Sequence, residues 1–200
     1  MKIAIITNIP SPYRVDLFYY MQTHYTEHEF HIIYAASSLS DRQWTVSEDL
    51  LLNSVFLKSR TLTLKRRFDD KHIHVTYNTG WVLSAINPDI VIGSEYNPTI
   101  LQSIIWCKRK KRKFISWTDG TLLSERNISK FQKWARAFVI RSASAYIASS
   151  TKSMEAQIAY GAKAEAVFTS LLTVDIQKYL YKRSTYSNHK LLYVGSLSAR

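Results

Sequence analysis

The sequence predicts an α/β domain: a Rossmann-like parallel sheet with helices on both faces. Three observations carry this. Short, nearly continuous apolar runs such as Lys2–Thr7 (KIAIIT) and Asp89–Gly93 (DIVIG) have the pattern of strands covered on both sides. Segments with helical apolar spacing alternate with these runs, which is the strand–crossover–strand rhythm of a parallel sheet. The turns between them repeat a cap-then-proline start, Ser11-Pro12 and Asn97-Pro98.

The elements follow in order. After the first strand comes the loop Asn8-Ile9-Pro10-Ser11-Pro12, then a helix whose core face is expected at Leu17, Phe18, Met21 and Tyr25. Glu29–Ala35 (EFHIIYA) reads as the second strand. Residues 36–72 loosen into a polar loop, a strand around Val55–Lys58 and a basic patch at Lys65, Arg66 and Arg67. His74–Ile86 reads as a helix, although Gly80 inside it weakens the pattern. Asp89–Gly93 is a strand, and the helix from Pro98 has its core face at Leu101, Ile104 and Ile105. Lys113–Trp117 (KFISW) is the next strand, ending in Thr118-Asp119-Gly120. A helix from Arg126 to Arg141 and the strand Ala145–Ser149 follow, then a helix from Thr151 that stops at Gly161, a natural residue for a left-handed helix end. Val167–Ser170 is a short last strand and Asp175–Tyr181 a short helix. Past the polar turn Ser184–His189, Lys190–Val194 (KLLYV) starts a fresh strand ending at Gly195. The expected division is therefore 1–188 for the domain and 189–200 for the first strand of a second, truncated one. That strand is expected to act as an adhesive edge and promote self-association.

Composition excludes several classes. The chain has 200 residues, 46% hydrophobic, with only five Gly and four Pro against five Trp, thirteen Tyr and eight Phe, so disorder is excluded. A single cysteine, Cys107, excludes a disulfide scaffold and a cysteine-based zinc site, and reads as a core thiol. No apolar run approaches the ~18 residues of a membrane span, and Asn8-Ile9-Pro10 breaks the first run before a signal peptide could form. A cytoplasmic protein, soluble or on the inner membrane face, is expected. There is no glycine-rich phosphate loop. His72 and His74 read as surface residues, and no metal is expected. The net charge of +12, from 27 Lys+Arg against 15 Asp+Glu, points to an anionic partner.

In such sheets ligands bind beyond the carboxyl ends of the strands. The candidate loops are 8–14, 94–98, 117–121 and 149–151, where helix starts also favour anions. Each is read equally well as plain helix capping. Asp119-Gly120 suits hydroxyl binding or general-base work, and equally a simple turn. The run Lys108-Arg109-Lys110-Lys111-Arg112-Lys113 is either a solvated helix end or part of an anion-binding surface. In the helix expected from Arg126, residues Arg126, Lys130, Lys133 and Arg141 share one face, while Phe131, Trp134, Ala135 and Phe138 share the adjoining one. That pattern serves membrane surfaces and domain cores alike.

Taken together, Asn8–Phe18 (NIPSPYRVDLF), Ser116–Thr121 (SWTDGT), Ala148-Ser149-Ser150, Tyr160-Gly161-Ala162 and Leu192–Leu197 (LYVGSL) resemble the N-terminal domain of retaining GT-B glycosyltransferases, the group 1 or family 4 type. The resemblance implies the N-terminal half of a GT-B fold. It implies transfer of a sugar from a nucleotide-sugar donor, with retention, to a lipid-linked or saccharide acceptor in cell-envelope or polysaccharide synthesis. Asp119 and Thr118 fall at the catalytic end of the matching strand. Asn8, Pro10, Ser11, Pro12, Tyr13, Arg14, Glu95, Trp117, Gly120, Ser149, Ser150 and Gly195 fall in the donor- and acceptor-binding segments. No cofactor beyond the donor is implied. The sequence departs from the family at two places: Thr118-Asp119 stands where the family usually has a histidine, and Ser196 where it usually has an arginine. Without the family's C-terminal acidic motif, this chain is expected to lack most of the donor site. The competing reading is a non-catalytic module for an anionic partner, a membrane surface before a nucleic acid, since no RRM, KH or helix-turn-helix pattern occurs.

Overall fold

The computed structural model describes residues 1–37, 45–64 and 71–180. The basic patch 65–67, the side chain of His72, Gly195 and the whole of 189–200 with its adhesive strand are outside the described residues. Among the described residues there are nine strands, β1 (Lys2–Thr7), β2 (Glu29–Tyr34), β3 (Ser54–Phe56), β4 (Ser59–Leu64), β5 (Lys71–Thr76), β6 (Ile90–Ser94), β7 (Lys113–Thr118), β8 (Ala145–Ala148) and β9 (Val167–Thr169); all but β4 and β5 form one parallel sheet of seven. The sheet order is β3-β2-β1-β6-β7-β8-β9, while β4 and β5 pair antiparallel. The helices are α1 (Pro12–His24), α2 (Thr79–Ile86), α3 (Pro98–Lys110), α4 (Lys130–Ser142) and α5 (Thr151–Ala159).

Strand alternation divides the core in two. Ile3, Ile5, Ile32 and Trp117 point to the α1 side, where Val15 and Phe18 cover them. Ala4, Ile6, Val91 and Phe114 point the other way, under Leu83 of α2, Ile100 and Ile104 of α3 and Val139 of α4. Burying a side chain such as Phe18 or Ile104 stabilises by roughly 1.5–3 kcal/mol. The two-sided sheet with helices on both faces is as the sequence predicts. α5 packs on β8 and β9, and Gly161 follows it at φ +107, a conformation that strongly favours glycine.

Five expectations are corrected. α1 buries Arg14, Val15 and Phe18, while Tyr25 lies beyond its end and is exposed. In α3, Ile105 faces solvent, and Ile100, Ile104, Trp106 and Cys107 face the core. The helix expected from His74 begins only at Thr79, because 71–76 runs as β5. This places Gly80 in the first turn, where it costs little. It also buries His74, whose Nδ1 lies 2.8 Å from Thr61 Oγ1 across the ribbon, so His74 is not a surface residue. Finally, α4 starts at Lys130 rather than Arg126. Ser129 and Gln132 form a reciprocal capping box there, which fixes the start.

Candidate functional site

β1 and β6 are neighbours at the middle of the sheet, and the helices that follow them leave to opposite faces. A crevice therefore opens outside their carboxyl ends. Asn8 follows β1, Glu95 follows β6, and Asp119 follows β7. Their side chains meet although the sequence separates them widely. Asn8 Nδ2 donates a hydrogen bond to Glu95 Oε2. Asn97 Nδ2 donates to Asn8 Oδ1 at 2.6 Å, and Asn97 Oδ1 in turn caps α3 by accepting from the Ile100 N–H.

Glu95 sits in the left-handed region at φ +77. For a residue with a long side chain this costs on the order of 1–3 kcal/mol, and such strain concentrates at functional sites. Its backbone N–H is held by the Trp117 carbonyl at 3.1 Å. Removal from water pushes the Glu95 carboxyl above its usual value, and the neighbouring Asp119 carboxylate pushes it the same way; Arg14, Asn8 and Arg136 oppose the shift without cancelling it.

Beneath the crevice floor Arg14 is buried. Its Nη1 donates to Ser94 Oγ at 2.5 Å and to Thr7 Oγ1 at 3.3 Å, and its guanidinium lies 5.0 Å from the centre of the Trp117 ring. Trp117 is itself in the core, edge-on to Phe18, so it positions Arg14 and does not line the crevice. At the end of β7, Thr118 is buried and its Oγ1 accepts from the Gly120 N–H at 3.1 Å. Asp119 is the exposed member of that pair. A Cβ at Gly120 would stand 2.7 Å from Glu125 Oε1 and 3.3 Å from Thr118 Oγ1, so the Glu125 carboxylate would have to shift to admit it. Glu125 is buried, with Arg136 Nε of α4 2.7 Å from its Oε1, and the Arg136 guanidinium also lies over the Tyr96 ring at 4.9 Å.

Asn8, Glu95, Asn97, Thr118, Asp119, Gly120, Glu125 and Arg136 line one cleft of about 590 Å³. Asp119 is its exposed carboxylate, and Ile73, Leu101 and Phe131 give it an apolar side. Such a cleft can orient a polyhydroxylated ligand through hydrogen bonds to Asn8, Glu95 and Asp119.

Of the described sequence candidates, Asn8, Glu95, Thr118, Asp119 and Gly120 line this cleft together. The other described candidates do not line it. Tyr13 lines a separate cavity of about 520 Å³ between α1 and residues 173–178. Pro10 and Ser11 are buried, and Ser11 heads α1 with Pro12 at its first position and no side-chain cap bond. Ser150 caps α5, accepting from the Ser153 N–H at 3.1 Å, and the Ser149 N–H donates to the Thr118 carbonyl. In the basic run, Lys108–Lys110 end α3 and Lys111 is its left-handed cap at φ +54. Arg112 is tied to Asp89 and Asn87 at 3.1 Å each. Arg126 lies off α4 and does not share its basic face. The sequence placed Asn97 in the candidate loop 94–98 with no role of its own beyond capping, and sequence reasoning missed Glu125 and Arg136, because that pair has no local signature.

No family model matches the sequence, and no curated protein matches it. Solved structures do. HepE (Alr3699) of Anabaena, solved with UDP and glucose, matches with a TM-score of 0.62 at 17% identity over 90% of this chain and 46% of its own. The lipopolysaccharide outer core galactosyltransferase WaaB matches at 0.55 and 17% identity, over 84% of this chain and 44% of its own. The UDP-GlcNAc 2-epimerase of Methanocaldococcus jannaschii matches at 0.51 and 15% identity, over 84% and 45%. The fold is that of the N-terminal domain of GT-B proteins, and the chain spans under half the length of these three structures.

Proposed function

We propose that this chain is the acceptor-binding half of a nucleotide-sugar-dependent glycosyltransferase of the retaining, family 4 kind, acting on a lipid-linked or saccharide acceptor in cell-envelope or polysaccharide synthesis. The observation that carries the reading is the meeting of Asn8, Glu95 and Asp119 at the switch point of the sheet, on a fold shared with structures that hold UDP and glucose. Asp119 accepts from an acceptor or donor hydroxyl at the mouth of the cleft. Glu95, with its carboxyl raised, donates or shares a proton with a second hydroxyl, and Asn8 fixes its orientation. Arg14 holds the floor and keeps positive potential under the place where the donor phosphates would lie. The nucleotide-sugar donor and the absence of any further cofactor remain part of the proposal.

A second reading has an observation of its own. Two carboxyls facing one cleft, on a fold also found in UDP-GlcNAc 2-epimerases, suit proton transfer at a sugar carbon. One experiment separates the two. The two-domain form that the resemblance implies is incubated with UDP-glucose, UDP-galactose and UDP-GlcNAc, with and without saccharide acceptors, and products are resolved by mass and by NMR. Acceptor-dependent release of UDP with a lengthened acceptor supports transfer, and the anomeric coupling of the new bond reads retention. An isomerised sugar formed without acceptor supports epimerisation and overturns transfer.

A further inference from the structure

The charged side chains of the cleft are unevenly divided by sign. Three are carboxylates, Glu95, Asp119 and Glu125, while Arg136 is the one Lys or Arg side chain among the described lining residues. That guanidinium is already engaged: its Nε is 2.7 Å from Glu125 Oε1, and it lies over the Tyr96 ring at 4.9 Å. His74 also lines the cleft, with its Nδ1 2.8 Å from Thr61 Oγ1. Arg14 is buried beneath and directs its Nη1 to Ser94 and Thr7. Neither Glu95 nor Asp119 forms an ion pair among the described residues. Glu95 itself reports the field around it. Loss of water and the nearby Asp119 push its carboxyl above its usual value, although Arg14 and Arg136 pull the other way. A negative charge is therefore less favoured in this cleft than in water. The apolar side, with Ile73, Leu101 and Phe131, supplies no counter-charge.

We propose that this cleft selects its sugar unit by charge, accepting an uncharged or amino sugar and rejecting an acidic one, with Asp119 as the residue that makes the distinction. The inference rests on the reading of the cleft as a saccharide site and adds the class of saccharide it takes. Sugar hydroxyls, or an ammonium, donate to the Asp119 carboxylate, and the apolar face of the ring lies against Leu101 and Phe131. A uronate carboxylate or a sugar phosphate would meet the two penalties that Glu95 already shows, removal from water and the Asp119 charge close by. Ionised oxygens only accept, as do those of Asp119, so no hydrogen bond would join the two. A site rejects a close relative of its ligand in this way, by setting like charge where the wrong partner carries its own. The whole chain carries a net charge of +12, so its long-range field attracts acidic saccharides. Rejection in the cleft runs against that field and is not a by-product of it.

The test is a titration of the isotope-labelled 200-residue chain with matched oligosaccharides that differ only in their terminal unit, glucose, glucosamine or glucuronate. Amide shifts of Asn8 and Thr118–Gly120 report binding in the cleft. The proposal expects the glucosamine end to bind at least as tightly as the glucose end. The glucuronate end should bind about tenfold or more weakly, from one like-charge contact. Asp119→Asn should shrink that ratio to about threefold or less. Glu155→Gln, which alters an exposed carboxylate of α5 paired with Lys152, should leave the ratio as in wild type. Raising salt screens Asp119 and should narrow the wild-type ratio, whereas attraction to the basic chain would make it widen. Circular dichroism confirms that each variant is folded. Equal affinity for the glucose and glucuronate ends overturns the proposal and leaves the saccharide reading standing. So does a glucosamine end weaker than the glucuronate end, a wild-type ratio in Asp119→Asn, an equal change in Glu155→Gln, or a ratio that widens with salt. No cleft shifts with any of the three overturns the saccharide reading, and the proposal with it.

Discussion

The crevice and the outer face of α4 both gather polar and aromatic side chains, but they hold them in opposite ways. In the crevice three groups are fixed from distant parts of the chain: Asn8 is held by Asn97 and holds Glu95, while Arg14 is held by Ser94 and Trp117. On α4 the rings stack on each other, with Lys108 over Phe138, and while Phe138 packs partly against the core, Phe131 and Trp134 stay mostly exposed. A site that recognises a small ligand needs fixed donors and acceptors within a fraction of an ångström. Of the two regions, only the crevice is held that way.

The comparison can be broken by substitution. Asp119→Ala, the largest effect, should lower sugar transfer about a hundredfold or more in the two-domain form while circular dichroism stays unchanged. Unaltered transfer would remove Asp119 from the site. Gly120→Ala should cost about 1–3 kcal/mol in denaturant unfolding, because its Cβ would meet Glu125 Oε1 at 2.7 Å. A neutral result would show that Glu125 moves aside freely. Glu95→Gln tests the electrostatics by sign. A carboxyl raised by burial costs nothing while it stays protonated, and it destabilises the fold as pH rises through its ordinary value of 4.5 and on through the raised one. The variant should therefore gain stability relative to wild type at neutral pH and lose that advantage below pH ~4. A pH-independent difference would show that hydrogen bonding alone sets the carboxyl. Trp134→Ser, the smallest, should shift stability by no more than ~0.5 kcal/mol, as expected for a side chain without core contacts.

The sheet was legible because its strands are two-sided and apolar: Lys2–Thr7 and Lys113–Trp117 stand out without any knowledge of their neighbours. The β4–β5 ribbon was not legible, because its alternation is inverted. Polar His74 and Thr76 turn inward to Thr61, Thr79 and Thr99, while Val75 faces solvent. A hydrophobic-inward rule reads that segment as the start of a helix. In the site, Asp119 and Asn8 could be placed from strand ends alone, since the topology puts all such ends on one side. The Glu125–Arg136 pair could not, because it forms across a loop whose path only the packed structure fixes. The α4 aromatics were legible as a row but not as exposed. That depended on where the helix starts, and the Ser129–Gln132 box moves the start four residues beyond Arg126.

The central claim is that a sugar ligand binds at the Asn8–Glu95–Asp119 cleft and not in the cavity beside α1. Amide chemical-shift mapping of the isotope-labelled chain, titrated with UDP-glucose and with a glucose- or galactose-terminated oligosaccharide, tests it directly. The account predicts shifts gathered on Asn8, Glu95 and Thr118–Gly120 that disappear in Asp119→Ala. Shifts confined to Tyr13, Tyr20, His24 and Val174 around the other cavity, or persisting unchanged in the variant, would contradict it.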